Sequence, residues 1–318
     1  MNMNMKAHKN LIERLLEQKD LQIMAWLGIV WMLVFNYAPM YGLLVGFKRN
    51  YRITDSLFSF KFLGSPAADN FGFQHFIAFF NDPEFSDIIL NTLGISVLKL
   101  LIGFPLPILF ALFLNEIRQA RFKRVVQTIS YLPHFLSWVV LGGILTTWLS
   151  DSGFINEILI SAGVLKEGVT FLAYPQYFWG IVVISDVWKE LGWSAIIYLA
   201  AIAGIDQDIY EAAEIDGAGR LRRMWSITLP CIKGTVSVLF ILAIGGLLNS
   251  NFDQIFVLWN TLNAPRSTVI DIYTYNVAMR SMRFSYATAI GLFKSVIAFI
   301  LLFIANKVTK KINDVSLF

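Results

Sequence analysis

Six predominantly apolar runs, near 22–47, 88–114, 125–150, 177–203, 230–260 and 284–306, divide the 318-residue chain. Each is long enough to supply the roughly 20 helical residues that cross a hydrocarbon core of about 30 Å. In lipid no water is available to bond stray N–H and C=O groups, so a crossing segment has to satisfy its backbone internally, as a helix does. Hydrophobic residues make up 56% of the chain and charged residues 15%, against about 25% charged in soluble domains. The sequence therefore predicts an all-α membrane protein with six transmembrane helices.

The same composition excludes several function classes. Cys231 is the one cysteine and the histidines are His8, His75 and His134, too few for an internal disulfide, a cysteine metal cluster or a histidine metal site. A net charge of +4 is small and calls for no nucleic acid. The N-terminus carries lysines but no apolar run until about Leu21, later than the short apolar core of a cleaved signal, so the first span is expected to stay attached. Within residues 1–21, Leu11, Ile12, Leu15 and Leu16 put an apolar stripe on a charged segment, the pattern of a helix lying on the membrane surface. Residues 22–318 then form the six-helix domain.

Orientation follows from Lys and Arg flanking the spans. Fifteen lie in the N-terminal segment, the second and fourth loops and the tail, and eight lie in the longer loops on the other side. Both termini and the loop at 206–230 are thus expected in the cytoplasm, although Lys48, Arg49 and Arg52 run against the trend. The first outer loop, about 48–87, holds Phe58, Phe60, Phe62, Phe71, Phe73, Phe76, Phe79, Phe80 and Phe85. So many rings predict a small folded cap or an interfacial segment. Asp82-Pro83 reads as the N-cap and first turn of the helix that follows.

The loop at 206–230 carries its own helix signals. Asp208 is a candidate N-cap and Glu211, three residues on, can complete a capping box, so a helix is expected from about Ile209. Gly217 and Gly219 offer positive-φ or close-approach positions that end it. Arg220 to Ser226 can form a second short helix, and Pro230 suits the first turn of the next. The spacing Glu211-Ala212-Ala213, Asp216-Gly217, Ile227, Leu229-Pro230 resembles the EAA loop of permease subunits in binding-protein-dependent ABC importers, and EAAEIDGA is similar to its carbohydrate branch. NTLGIS (91–96), GFPLPI (103–108), LNEIR (114–118), FKRVVQTISYLPHFLSWVV (122–140) and WKELGW (188–193) resemble the polysaccharide-importer permeases within that branch.

The resemblance implies a type I importer (MetI-like) fold in a bacterial cytoplasmic membrane. It also implies a coupling helix that docks in a groove of an ATPase subunit. The implied partners are a paralogous second permease, two ATPase subunits that hold ATP and Mg, and an extracytoplasmic solute-binding protein that delivers an oligosaccharide. No cofactor is expected in this chain: Gly163 and Gly168 have P-loop spacing, but Val169 stands where the lysine belongs.

Charges inside the spans mark a second region. Lys99, Asp186, Lys189, Glu190, Asn249, Asn251, Asp253 and Lys294 lie at one depth on four helices, roughly 9 to 19 Å below the outer boundary at about 1.5 Å per residue. Each charge costs on the order of 3 kcal/mol at mid-bilayer, so these groups are expected to face a cavity or one another. Trp188 and Trp193 at this level suit stacking on a sugar, and the layer is the expected substrate pathway. Structural ion pairs, Asp186 with Lys189 and Glu190 with Lys99 or Lys294, are the alternative. His134 reads as a satisfied core histidine. Gly103, Pro105, Pro107 and Pro133 are expected to interrupt the second and third spans. An ion-coupled secondary transporter would show an inverted repeat, which we do not find, and no nucleophile, metal or paired-acid constellation marks an enzyme.

Overall fold

The computed structural model describes residues 18–49, 51–52, 54 and 72–313, and no strand occurs among them. The surface helix expected over residues 1–21, apart from its last four, and the phenylalanines at 58, 60, 62 and 71 lie outside the described residues. In chain order the helices are α1 (Lys19–Phe47), α2 (Gln74–Phe80), α3 (Phe85–Asn115), α4 (Ala120–Phe135), α5 (Trp138–Trp148), α6 (Phe154–Ser161) and α7 (Pro175–Ala203). They continue as α8 (Gln207–Ile215), α9 (Arg220–Cys231), α10 (Lys233–Gly245), α11 (Phe252–Leu258), α12 (Ala264–Ser267), α13 (Ile270–Tyr275) and α14 (Phe284–Asn313).

α1, α3 and α14 are long and apolar enough to cross a membrane unaided. α7 has 29 residues, about 43 Å of helix, but each eighteen-residue window of it contains Asp186, Lys189 and Glu190. The remaining two expected spans are not straight. α4 and α5 meet at 101° and α9 and α10 at 64°, so the third expected span breaks just after Pro133, as anticipated, and the fifth is corrected to a bent pair. At the first corner Leu136 and Ser137 are extended, and the Ser137 hydroxyl accepts the Val140 N–H at 3.2 Å, capping α5. The fifth crossing stops at Gly245, and Asn251 takes a left-handed φ of 62° before α11 begins. Glycine and asparagine tolerate such a break at the least cost.

In the second span the structure also corrects the expected interruption. α3 runs unbroken, absorbing Pro105 and Pro107 with a π turn at Lys99–Gly103, a widening that accommodates missing N–H groups and recurs at functional sites.

α3 and α7 pack along one another at the centre of the bundle. Towards α8, Ala111, Leu112, Ala195, Tyr198, Met224 and Ile232 form one buried cluster, and at the opposite end Ile95, Phe178, Val182, Ile255 and Val269 form another. Buried polar side chains tie the segment after α11 in place: Asn91 Nδ2 donates to the Pro265 and Thr268 carbonyls, and Asn263 Nδ2 to Leu172 and Leu258. α2 lies within the expected outer loop. Phe79 is buried against Phe85 and Phe293, with ring centroids 5.0 and 5.5 Å apart, while Phe73 and Phe80 stay exposed. Asp82 bonds the Glu84 N–H at 2.9 Å, but α3 begins three residues after it. Its other oxygen accepts the hydroxyls of Tyr273 and Tyr286. Burial alone would raise its pKa. The bonds from Tyr273, the Glu84 backbone and Tyr286, with the charge of Arg283, outweigh burial and hold it below the usual 3.8.

Candidate functional sites: the α8 loop and the mid-bundle cleft

α8 starts two residues earlier than its sequence signals suggest. The cap is Asp206, whose carboxylate accepts the Asp208 N–H at 3.1 Å, and Glu211 makes no capping-box bond among the described residues. The C-terminal end closes as a Schellman motif. Gly217 takes φ +74° and donates to Glu214 O at 3.1 Å, and Ala218 N donates to Ala213 O at 2.9 Å. Gly219 sits at φ −67° in ordinary extended backbone, so only the first glycine of the pair is conformationally required.

Two contacts clasp α8 to α9: Glu214 with Arg223 at 2.9 Å, and the Tyr210 hydroxyl with Thr228 Oγ1 at 2.9 Å. Ala213, Met224 and Thr228 are buried and Ile227 and Leu229 partly so, fixing the loop to the end of the bundle. Pro230 is accommodated by a π turn at Met224–Thr228. Facing outward are Glu211, Ala212, Asp216 and Ile215, the last 87% exposed.

The second site is a cleft of about 310 Å³ between α3, α7 and the end of α10, lined by Lys99, Asp186, Glu190 and Asn249 of the expected layer, and by Ser96 and Ser194. Its ion pairs differ from those anticipated. Lys99 Nζ binds Asp186 Oδ1 at 2.9 Å, Gln254 Oε1 at 2.6 Å and the Ser250 carbonyl at 3.5 Å. All three of its protons are therefore engaged. Gln254 is wholly buried and donates in turn to Val182 O and Ser185 Oγ, at 2.8 and 2.9 Å. Ser96 Oγ is buried without a hydrogen-bond partner among the described residues.

Other members of the layer lie elsewhere. Lys189 is buried behind Glu190, bonded to its Oε1 at 3.2 Å and to the His134 carbonyl at 2.6 Å. Trp193 is stacked on the His134 ring at 4.3 Å. Trp188 points away from the cleft into an apolar groove with Trp148, centroids 6.3 Å apart. Asn251 is the left-handed residue before α11, Asp253 is exposed, and Lys294 pairs with Asp271 outside the cleft. Sequence reasoning missed Gln254, whose signal was an amide among Ile255 and Leu258 in an otherwise apolar turn, and Ser96, one turn before Lys99. Among the described residues no group of His, Cys, Asp or Glu could hold a metal ion.

Comparison with known proteins agrees with this architecture. Residues 103–314 match the family described as "Binding-protein-dependent transport system inner membrane component". The chain is similar to the polygalacturonan/rhamnogalacturonan transport system permease protein YteP of Bacillus subtilis, 41% identical over 98% of this chain and 94% of that protein. It is also similar to protein LplB of the same organism, 42% identical over 92% of this chain and 88% of that one. A crystal structure of a bacterial alginate ABC transporter, in complex with an alginate pentasaccharide-bound periplasmic protein, contains a chain 36% identical to this one. It superposes with a TM-score of 0.86 over 97% of this chain and 100% of that chain. With its helical bundle and these relatives, the chain belongs to the inner-membrane permease family of binding-protein-dependent ABC importers.

Proposed function

We propose that this chain is one half of a paired permease in an oligosaccharide importer. It takes sugar from an extracytoplasmic binding protein and is driven by two ATPase subunits that hold ATP and Mg. The observation that carries the reading is α8: a helix closed at both ends, clasped to the bundle by Glu214 and Tyr210, that presents Ile215 at 87% exposure. An apolar side chain so exposed on a rigid, polar loop suits a groove on another protein. Closure of the ATPases on ATP would press on α8, and α7, which runs into it, would carry the motion to Asp186 and Glu190 at the cleft. The termini and α8 then lie in the cytoplasm, in accord with the charge count.

A second permease would have a face to pack on in the α1 segment Lys19–Met32, no residue of which is buried within this chain. For the substrate, the relatives named for polygalacturonan, rhamnogalacturonan and alginate support an oligosaccharide. Ser194, Asn249 and the two cleft carboxylates would meet its hydroxyls. The chain then contributes no chemistry beyond this path, and hydrolysis resides in the ATPases.

A photo-crosslinking residue at Ile215, activated in native membranes, tests the reading. Its adduct should be an ATPase subunit bearing a P-loop. Adducts to lipid alone, or to no protein, would remove the coupling role.

A further inference from the structure

His134 lies outside the layer picked out by depth, yet the fold spends an unusual amount of structure on it. It stands at the 101° corner between α4 and α5, where α4 lies so close to α7 that a Cβ on Gly192 would come within 2.2 Å of the Ser130 carbonyl. Its ring lies flat on Trp193, with an interplanar angle of 2°. Its Nδ1 is 2.7 Å from Glu190 Oε2, its carbonyl accepts from Lys189 Nζ at 2.6 Å, and Lys189 Nζ reaches Glu190 Oε1 at 3.2 Å. The three residues form a closed circuit. A carboxylate only accepts, so Nδ1 carries the proton.

Neither donor lines the cleft that Glu190 lines. Lys189 is 5% exposed, whereas the Glu190 side chain is 33% exposed and lines the cleft. Each carboxylate oxygen has a second lone pair, so Glu190 keeps acceptor capacity towards the cavity. We propose that His134 is a positioning residue for transport: with Lys189 it fixes the Glu190 carboxylate as an acceptor for a hydroxyl of the passing sugar. The inference rests on the importer reading above. A register lock needs the same ion pair but does not need one carboxylate face left bare to a cavity.

Two substitutions separate the roles of the ring and its proton. Asparagine places its amide N–H about where imidazole Nδ1 stands but cannot cover Trp193, and phenylalanine covers Trp193 but has no donor. The complete importer is assembled in proteoliposomes with its binding protein. Labelled oligomers of galacturonate, mannuronate, arabinose and galactose are screened, and the one that most stimulates the wild-type ATPase is used. The readouts are sugar moved per ATP hydrolysed and membrane yield. His134→Phe should move about tenfold less sugar per ATP at normal yield, and His134→Asn should stay within about twofold of wild type, as expected for a bond to a charged group. A His134→Phe protein that transports normally, or a His134→Asn protein that fails as badly as the phenylalanine, overturns the assignment. A collapse in yield of both, restored by adding Glu190→Gln, makes the circuit a lock and also overturns it. If no oligomer stimulates the wild type, the importer's substrate reading falls first and this inference with it. Normal wild-type transport with an unaffected His134→Phe sinks only the inference.

Discussion

Gly217→Val isolates the left-handed corner of the α8 loop from every other feature of it. Nothing lies within 4 Å of a Cβ built on Gly217 or on Gly219, so side-chain crowding contributes nothing at either site. What separates them is backbone: φ is +74° at Gly217 and −67° at Gly219. A left-handed conformation costs an ordinary residue on the order of 1–2 kcal/mol, and a β-branched one towards 3 kcal/mol. Since about 1.4 kcal/mol is a factor of ten, valine at 217 should shift the loop roughly 100-fold towards conformations that lack the Ala218 to Ala213 bond. The spans lie outside this change and should insert normally. Binding-protein-stimulated ATPase in proteoliposomes should therefore fall about tenfold or more for Gly217→Val and less for Gly217→Ala. Gly219→Ala should match wild type. Stimulation and ATPase association at wild-type levels in Gly217→Val, or an equal loss in Gly219→Ala, would refute the reasoning.

Lys99→Met or Asp186→Asn alone should lower membrane yield, because each strands a partner of the buried network. The double variant should recover only part of it, since Gln254 Oε1 still lacks its donor; full recovery would show that the amide bond adds nothing. Gly192→Ala places a Cβ against the Ser130 backbone and should cost about 1–3 kcal/mol by forcing α4 from α7, read as a lowered melting temperature in detergent. The depressed pKa of Asp82 stabilises the fold above the ordinary carboxylate pKa of 3.8, and that contribution is lost as pH falls through the lower folded value. Thermal stability should decline on acidification below about pH 4, and Asp82→Asn should flatten this part of the profile. An unchanged slope would place the acid sensitivity elsewhere.

The α8 loop was legible in the sequence because its determinants are local. The glycine corner and the exposed face follow from residues within one turn of each other, and even the error is local: Asp206 and Asp208 can both cap, and the helix uses the earlier. Pro133 marked the break in the third span, but neither its angle nor the bend in the fifth was legible. Hydropathy over a window is the same whether an apolar run is straight or turns 101°, and the α4 to α5 corner depends on Ser137 finding the Val140 N–H. Depth along a helix could be counted, but the direction around it could not. Successive residues point about 100° apart, which is why Glu190 faces the cleft, Lys189 lies behind it and Trp188 faces a different groove. Pairing follows direction, so Lys99 found Asp186 and Lys294 found Asp271 rather than Glu190.

The most direct test of the account is the energy source for transport through this chain. In proteoliposomes containing the permease pair, the ATPases and the loaded binding protein outside, labelled oligosaccharide should accumulate only with ATP and Mg inside. It should be insensitive to collapse of proton and sodium gradients, and Gly217→Val should cut it about tenfold or more. Uptake that follows an imposed ion gradient, or that persists without ATP, would contradict the central claim.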